Sequence, residues 1–376
     1  MGNMRPTLIR ALYLAFVILV ISGCRVQVPE PAKELPTAVT QPSLQASPLP
    51  TDPPSYAGFL EKKNARDIRM MSFNVGWDSI FPDDDPWNDR WRQDSSGPQF
   101  DRIVKAVTPD ILCLQEISPL RDPQQVGDIL DTLLPLENGR KWQTHQGLDN
   151  IIASRFNLEE KAARLVQSGS ITSFGQVMAL VDLPDDSYER DLYLICAHFK
   201  SQGGQANIQA RQEHADAIIA DMGDARTPGG EIDLPFGTPI MAMGDFNVYD
   251  TDPAHHLTTL LTGDIENEDK YGPDSKPDWD GTDLADALPH HNGAGADTYT
   301  WRDDTQEFNP GTLDRILYTD SVIQVENAFV LNTEIMSPED LAAAGLKAGD
   351  VLLDPATGRY DHLPMAVDIA FQDLNP

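Results

Sequence analysis

Asp110-Ile111-Leu112-Cys113-Leu114-Gln115-Glu116 is a short unbroken apolar run that ends on two polar residues. Its length and flanks fit a strand buried on both faces. A carboxylate is costly inside such a run, so Glu116 belongs at the strand's open end. Four other segments have the same form: Met71-Ser72-Phe73-Asn74, Ala197-His198-Phe199-Lys200-Ser201, Gly244-Asp245-Phe246-Asn247 and Tyr360-Asp361-His362-Leu363-Pro364. An apolar, β-branched or Met-rich run precedes all but the last. Oxygen and imidazole groups delivered together at strand ends describe a sheet whose rim holds a metal and a phosphate.

Working outward, the same patterning predicts strands over 67–74, 110–116, 149–155, 176–183, 191–198, 239–245, 313–319 and 364–370. Between them lie helical stripes. Phe100, Ile103, Val104 and Val107 fall at i, i+3, i+4 and i+7, as do Val126, Ile129, Leu130 and Leu133, and Gln205–Met222 continues the spacing. These stripes read as core faces. Strands alternating with helices give a layered α/β architecture.

In this order the five segments resemble the endonuclease/exonuclease/phosphatase superfamily, which includes pancreatic deoxyribonuclease, abasic-site endonucleases, bacterial sphingomyelinases and inositol-polyphosphate phosphatases. The resemblance spans residues 66–372 and implies a four-layer α-β-β-α sandwich, two mixed sheets packed face to face. It implies that Glu116 ligates Mg²⁺ or a similar hard cation (Mn²⁺ or Ca²⁺), with Asn74 and Asp361 beside it. Asp245 is expected to orient or deprotonate water, and Asn247 to hydrogen-bond the phosphate. His198 is expected to stabilise the pentacovalent phosphorus or protonate the leaving oxygen. Asp314 is expected to orient His362, because a hydrogen bond at one imidazole nitrogen fixes the role of the other. The plain alternative for Asp314 is a strand-start salt bridge with Arg315. Asp149 and Asn150 are weaker candidates to assist. Tyr360 stands where the family more often has Ser. The number of cations is left open.

No competing zinc site is evident. His255-His256 and His290-His291 are adjacent pairs, whose members do not share a face, and no Cys-x-x-Cys or His-Glu-x-x-His pattern is present. Asp83-Asp84-Asp85, in a stretch with Trp77, Trp87 and Trp91, reads as a solvated loop before it reads as a Ca²⁺ site. Cys113 and Cys196 sit inside apolar strand runs and read as small buried hydrophobes, with their pairing open.

The N-terminus reads as an export signal, residues 1–23, with Arg5 and Arg10 before and within the start of an apolar run that closes at Ser22-Gly23-Cys24. Ile21-Ser22-Gly23-Cys24 resembles a bacterial lipobox, with Cys24 as the lipidated residue. Eight prolines between Arg25 and Pro54 mark a semi-extended spacer, so residues 24–65 read as a lipidated linker and 66–376 as the catalytic domain. The expected location is the extracytoplasmic face of a bacterial envelope, membrane-attached through the lipid, as a monomer.

Charge cuts against the simplest substrate. The chain carries 28 basic and 59 acidic residues, a net charge of −31, and phosphate neutralisation favours the opposite sign. Favouring a nuclease, Ala197-His198-Phe199-Lys200-Ser201-Gln202-Gly203-Gly204 is similar to a stretch of secreted bacterial nucleases. Lys200 and Arg211 are then expected on backbone phosphates, and Trp301 under a base. A lipid or sugar phosphodiesterase or phosphatase suits the acidic surface and the tether. A non-catalytic surface lipoprotein is the third reading, disfavoured because every expected polar position is filled.

Overall fold

The computed structural model describes residues 56–82, 96–172, 175–249, 255–303, 308–351 and 361–374. The signal, Cys24, most of the linker, Asp83–Asp85, Trp87, Trp91 and Tyr360 lie outside them. The described chain belongs to a unit running from Ser55 to Pro376. Its strands are β1 (Ile68–Asn74), β2 (Ile111–Gln115), β3 (Gln143–Gly147), β4 (Asn150–Ser154), β5 (Asn157–Arg164), β6 (Gln167–Ser168), β7 (Ile171–Thr172), β8 (Gln176–Asp182), β9 (Leu192–His198), β10 (Ile240–Asp245), β11 (Ala285–Asp286), β12 (His290–His291), β13 (Asp314–Tyr318), β14 (Ile323–Val330) and β15 (Met365–Phe371). Two mixed sheets result, one in the order β12-β14-β15-β1-β2-β4-β3 and one in the order β11-β13-β10-β9-β8-β5. With helices outside, this is the α-β-β-α sandwich.

The two-residue period of a strand divides β9 between two cores. Leu192, Leu194 and Cys196 point between the sheets, where Met70, Ile111 and Cys113 of the first sheet meet Met241, Met243 and Ile316 of the second. Tyr193, Ile195 and Ala197 point the other way, against Ala215, Ile218, Ile219 and Met222 of the helix Gln205–Ala225. The helices Gly97–Val107 and Gln124–Leu133 bury Phe100, Ile103, Val104, Val107, Val126 and Leu130 on the outer side of the first sheet, toward which Met71, Phe73, Leu112 and Leu114 point. Cys113 and Cys196 are buried free thiols.

This period also places the site. β1 and β2 run parallel, as do β9 and β10, so Asn74, Glu116, His198 and Asp245 arrive at one rim from strand C-terminal ends. β4, β13 and β15 run antiparallel to these neighbours and start there, after Asp149, at Asp314, and after Asp361-His362. Asp245 is in register with His198 on one side and Asp314 on the other. All three share the face that carries Cys196, Met243 and Ile316 into the core. The row that packs the sandwich therefore turns polar at its last pair.

All eight sequence-predicted strands are present. β3, β5 and β14, with the two-residue β6, β7, β11 and β12, lie outside that expectation. β5 is an edge strand, and its Asn157-Leu158-Glu159-Glu160-Lys161 carries charges of the kind that blunt an edge. In β14 a register shift between Val325 and Asn327 breaks the alternation.

The inter-sheet core can be tested by substitution. Leu194→Ala should cost about 2–5 kcal/mol of unfolding free energy in urea, and Glu159→Ala, on the exposed edge, no more than about 0.5 kcal/mol. Similar losses from both would contradict this layering.

Candidate active site

Asp245 is the centre of the rim. Its Oδ2 lies 3.6 Å from His198 Nε2 and 3.6 Å from His362 Nε2. Behind each imidazole stands a second carboxylate: Asp149 Oδ2 is 2.7 Å from His198 Nδ1, and Asp314 Oδ2 is 2.8 Å from His362 Nδ1. Thr300 Oγ1 also donates to Asp314 Oδ2, while Arg315 pairs with Asp286 instead. That leaves Asp314 to the imidazole. All five groups are buried.

Charge follows from this enclosure. Burial opposes the positive form of His198, but Asp149, then Asp245 and Glu116, outweigh it and lift the imidazole to about 9. Burial likewise opposes charge on His362, and Asp314 and Asp245 raise it well above the ordinary range. Both rings are thereby biased toward the cationic form.

Glu116 lies across the gap. Asn74 Nδ2 donates to Glu116 Oε1 at 3.1 Å and to Asp245 Oδ2 at 3.2 Å, so one amide links the two sheets. Trp77 N donates to Glu116 Oε2 at 2.9 Å. Desolvation, with Asp361 adding repulsion against relief from His198, lifts Glu116 to about 7. A carboxylate so placed, beside a second one and with only neutral donors on its oxygens, fits a hard cation taking oxygen ligands. Asp245, Asp314 and His362 also lie close enough together to hold an ion. There, however, Asp314 Oδ2 is already engaged by His362 Nδ1 and by Thr300 Oγ1, whereas the Glu116 oxygens meet only neutral donors. The donor set around Glu116 is the better fit.

The turn after β10 is shaped by its backbone. A Cβ on Gly244, at φ +146°, would sit 2.0 Å from the Ala197 carbonyl oxygen, so only glycine allows β10 to approach β9 here. Asn247 adopts φ +49°, its N–H donates to Asp245 Oδ1, and its Nδ2 donates to the Phe199 carbonyl.

The structure brings together Asn74, Glu116, His198, Asp245, Asn247, Asp314, Asp361 and His362. It treats the expected substrate contacts differently. Arg211 has no exposed surface, and its Nη1 donates to the carbonyls of Lys200 and Gln202, each at 2.9 Å. It braces the loop after His198 and does not reach out to a phosphate, which corrects the expectation from sequence. The helical stripe that buries Ala215 and Ile218 carries this side chain inward as well. Lys200 is half-buried, its Nζ donating to the Ser201 carbonyl at 3.0 Å. Trp301 is half-buried with its indole N–H on Asp361 Oδ2 at 3.2 Å, and Phe308 beside it is 62% exposed. Asp149 has a larger place than its sequence context suggested. Its signal was only position, one residue ahead of a strand.

The sequence pattern of the Endonuclease/Exonuclease/phosphatase family matches residues 71–334. The chain belongs to that family, and it is a hydrolase of phosphoric ester bonds. Among solved structures it is similar to the human Nocturnin catalytic domain with bound sulfate anion (16% identity, 82% of this chain and 95% of that one, TM-score 0.48). It is also similar to an endonuclease/exonuclease/phosphatase from Bacteroides vulgatus (18% identity, 81% and 99%, TM-score 0.48). A third is D. rerio TDP2 complexed with single strand DNA product (14% identity, 81% and 99%, TM-score 0.45). A comparison with curated proteins found no match.

The His198 shift has a thermodynamic consequence. A folded-state value of about 9 exceeds the ordinary value of about 6.5. The stability this contributes is complete below about pH 6.5 and lost as pH rises through about 9. Urea unfolding in EDTA should show that decline, and Asp149→Asn should flatten it. An undiminished slope in the variant would mean that the pair does not set the shift.

Proposed function

We propose that this chain is a divalent-cation-dependent phosphodiesterase, most simply a nuclease of low sequence specificity acting on DNA or RNA. The observation that carries the reading is Asp245 set between two carboxylate-backed imidazoles, across a narrow gap from a desolvated Glu116. Glu116 and Asp361 would hold the cation, with the Asn74 amide steadying Glu116 beside it, Mg²⁺ by preference and Mn²⁺ or Ca²⁺ as alternatives. When bound, it would neutralise charge on the phosphoryl oxygens and the leaving group.

The chain's own groups divide the remaining work. Asp245, with an oxygen facing His362, is placed to orient water and accept its proton as the in-line attack proceeds. Asp314 fixes the His362 ring so that Nε2 faces the reacting centre. His198, biased toward its cationic form by Asp149, can protonate the leaving oxygen or stabilise charge on the phosphoryl group. Asn247 completes the wall of the phosphate pocket. Lys200, Trp301 and Phe308 would meet the flanking nucleotide.

We also propose the remaining organisation read from sequence: an export signal over 1–23, lipidation at Cys24, a linker to residue 65 and a monomeric catalytic domain over 66–376 at the outer envelope. A second reading, a lipid or sugar phosphodiesterase or phosphatase, is favoured by the net charge of −31.

Plasmid DNA incubated with the chain and Mg²⁺ should be nicked. EDTA should abolish nicking, and His198→Ala should slow it by about 10²–10⁴-fold. Intact plasmid and RNA, alongside metal-dependent release of phosphate or phosphocholine from lipid or sugar esters, would transfer the assignment to the second reading.

A further inference from the structure

Three consecutive residues after β1 are left-handed: Gly76, Trp77 and Asp78, at φ +61°, +47° and +61°. Only glycine adopts this conformation without penalty, and runs of it are rare. Glu116, at φ +63°, is left-handed too. Strain of this kind persists only where surroundings enforce it, and it clusters at functional sites.

The N–H groups of this turn go to Asn74 and Glu116. Gly76 N donates to Asn74 Oδ1 at 3.1 Å, Trp77 N to Glu116 Oε2 at 2.9 Å, and Asp78 N to the Glu116 carbonyl at 2.9 Å. Successive N–H groups in this conformation form a concave donor set that suits anionic oxygens. With Asn74 Oδ1 engaged by Gly76, its Nδ2 is turned toward Glu116 and Asp245.

A buried ion pair holds the turn in place. Arg121 Nε lies 2.7 Å from Asp78 Oδ2, and both side chains are almost wholly buried. Asp78 Oδ1 accepts from Ser118 N at 2.7 Å, and the Arg121 guanidinium stacks 3.9 Å over Phe81. Asp78 therefore binds the segment carrying Glu116 on both sides, through its N–H to residue 116 and its carboxylate to residues 118 and 121.

We propose that Gly76–Asp78, locked by the Asp78–Arg121 pair, is a positioning element that presets Glu116, directly and through the Asn74 amide, for a hard divalent cation. This rests on the cation reading given above. Groups that orient metal ligands in this way cost about 10–100-fold in metal affinity or activity when altered.

Two variants test it without relying on the same fold risk. Gly76→Ala adds a Cβ with no atom within 4 Å, so it disturbs only the left-handed backbone. The double variant Asp78→Asn/Arg121→Gln removes both charges, so neither is left buried alone. Mg²⁺ binding to the full chain is read by calorimetry, alongside circular dichroism and the Mg²⁺ dependence of turnover. The expected result is a folded Gly76→Ala protein whose Mg²⁺ affinity is weaker by at least about tenfold, with turnover restored at high Mg²⁺. The double variant should behave the same way. Wild-type Mg²⁺ affinity in folded Gly76→Ala would overturn the proposal, as would turnover that high Mg²⁺ does not restore. Glu116→Gln separates the two levels. If it binds Mg²⁺ like the wild type, the cation reading itself fails and this inference falls with it.

Discussion

Asp245 is a buried carboxylate placed 3.6 Å from two imidazole nitrogens, and the rest of the rim answers to that contact. An anion there would be unstable alone, since burial disfavours charge. Two imidazoles compensate it, and each is biased toward the cationic form by a carboxylate behind it. The arrangement is almost symmetric about Asp245, because β9 and β13 flank β10 in register. What differs is the first sheet, which brings an anion, Glu116, with neutral hydrogen-bond donors and no matching base on its oxygens. The asymmetry is what makes one side of the gap suited to a cation and the other to proton transfer.

Much of this was legible in the sequence because strand periodicity and site chemistry use the same positions. Leu194, Cys196 and His198 alternate on one face, so an apolar run ending on His198 fixes both its strand and its direction. The same holds for Met241, Met243 and Asp245. What was not legible depends on contacts between segments distant in sequence. Asp149 has no motif, and its importance comes from β4 starting beside the end of β9. Arg211 illustrates the opposite failure. Its charge suggested a phosphate, yet the helix register points it inward, where the carbonyls of Lys200 and Gln202 take its hydrogens. The edge strand β5 was hidden by surface charges that guard against aggregation.

The acidic surface and the site's electrostatics belong to different scales. A net charge of −31 slows the approach of a polyanion and makes encounter sensitive to salt. Within the rim, the two rings in that form, with a bound cation, would offer a phosphodiester local positive charge that solvent screens poorly. Turnover without tight duplex binding is consistent with both facts.

On the proposed reading the rim is divided, with the cation on the Glu116 side and the proton-transfer groups around Asp245. Anomalous diffraction from crystals soaked in Mn²⁺ distinguishes the two sides. The expected peak is coordinated by the Glu116 carboxylate, near Asp361 and Asn74. A peak held instead by Asp245, Asp314 and His362, with Glu116 uncoordinated, would contradict that reading.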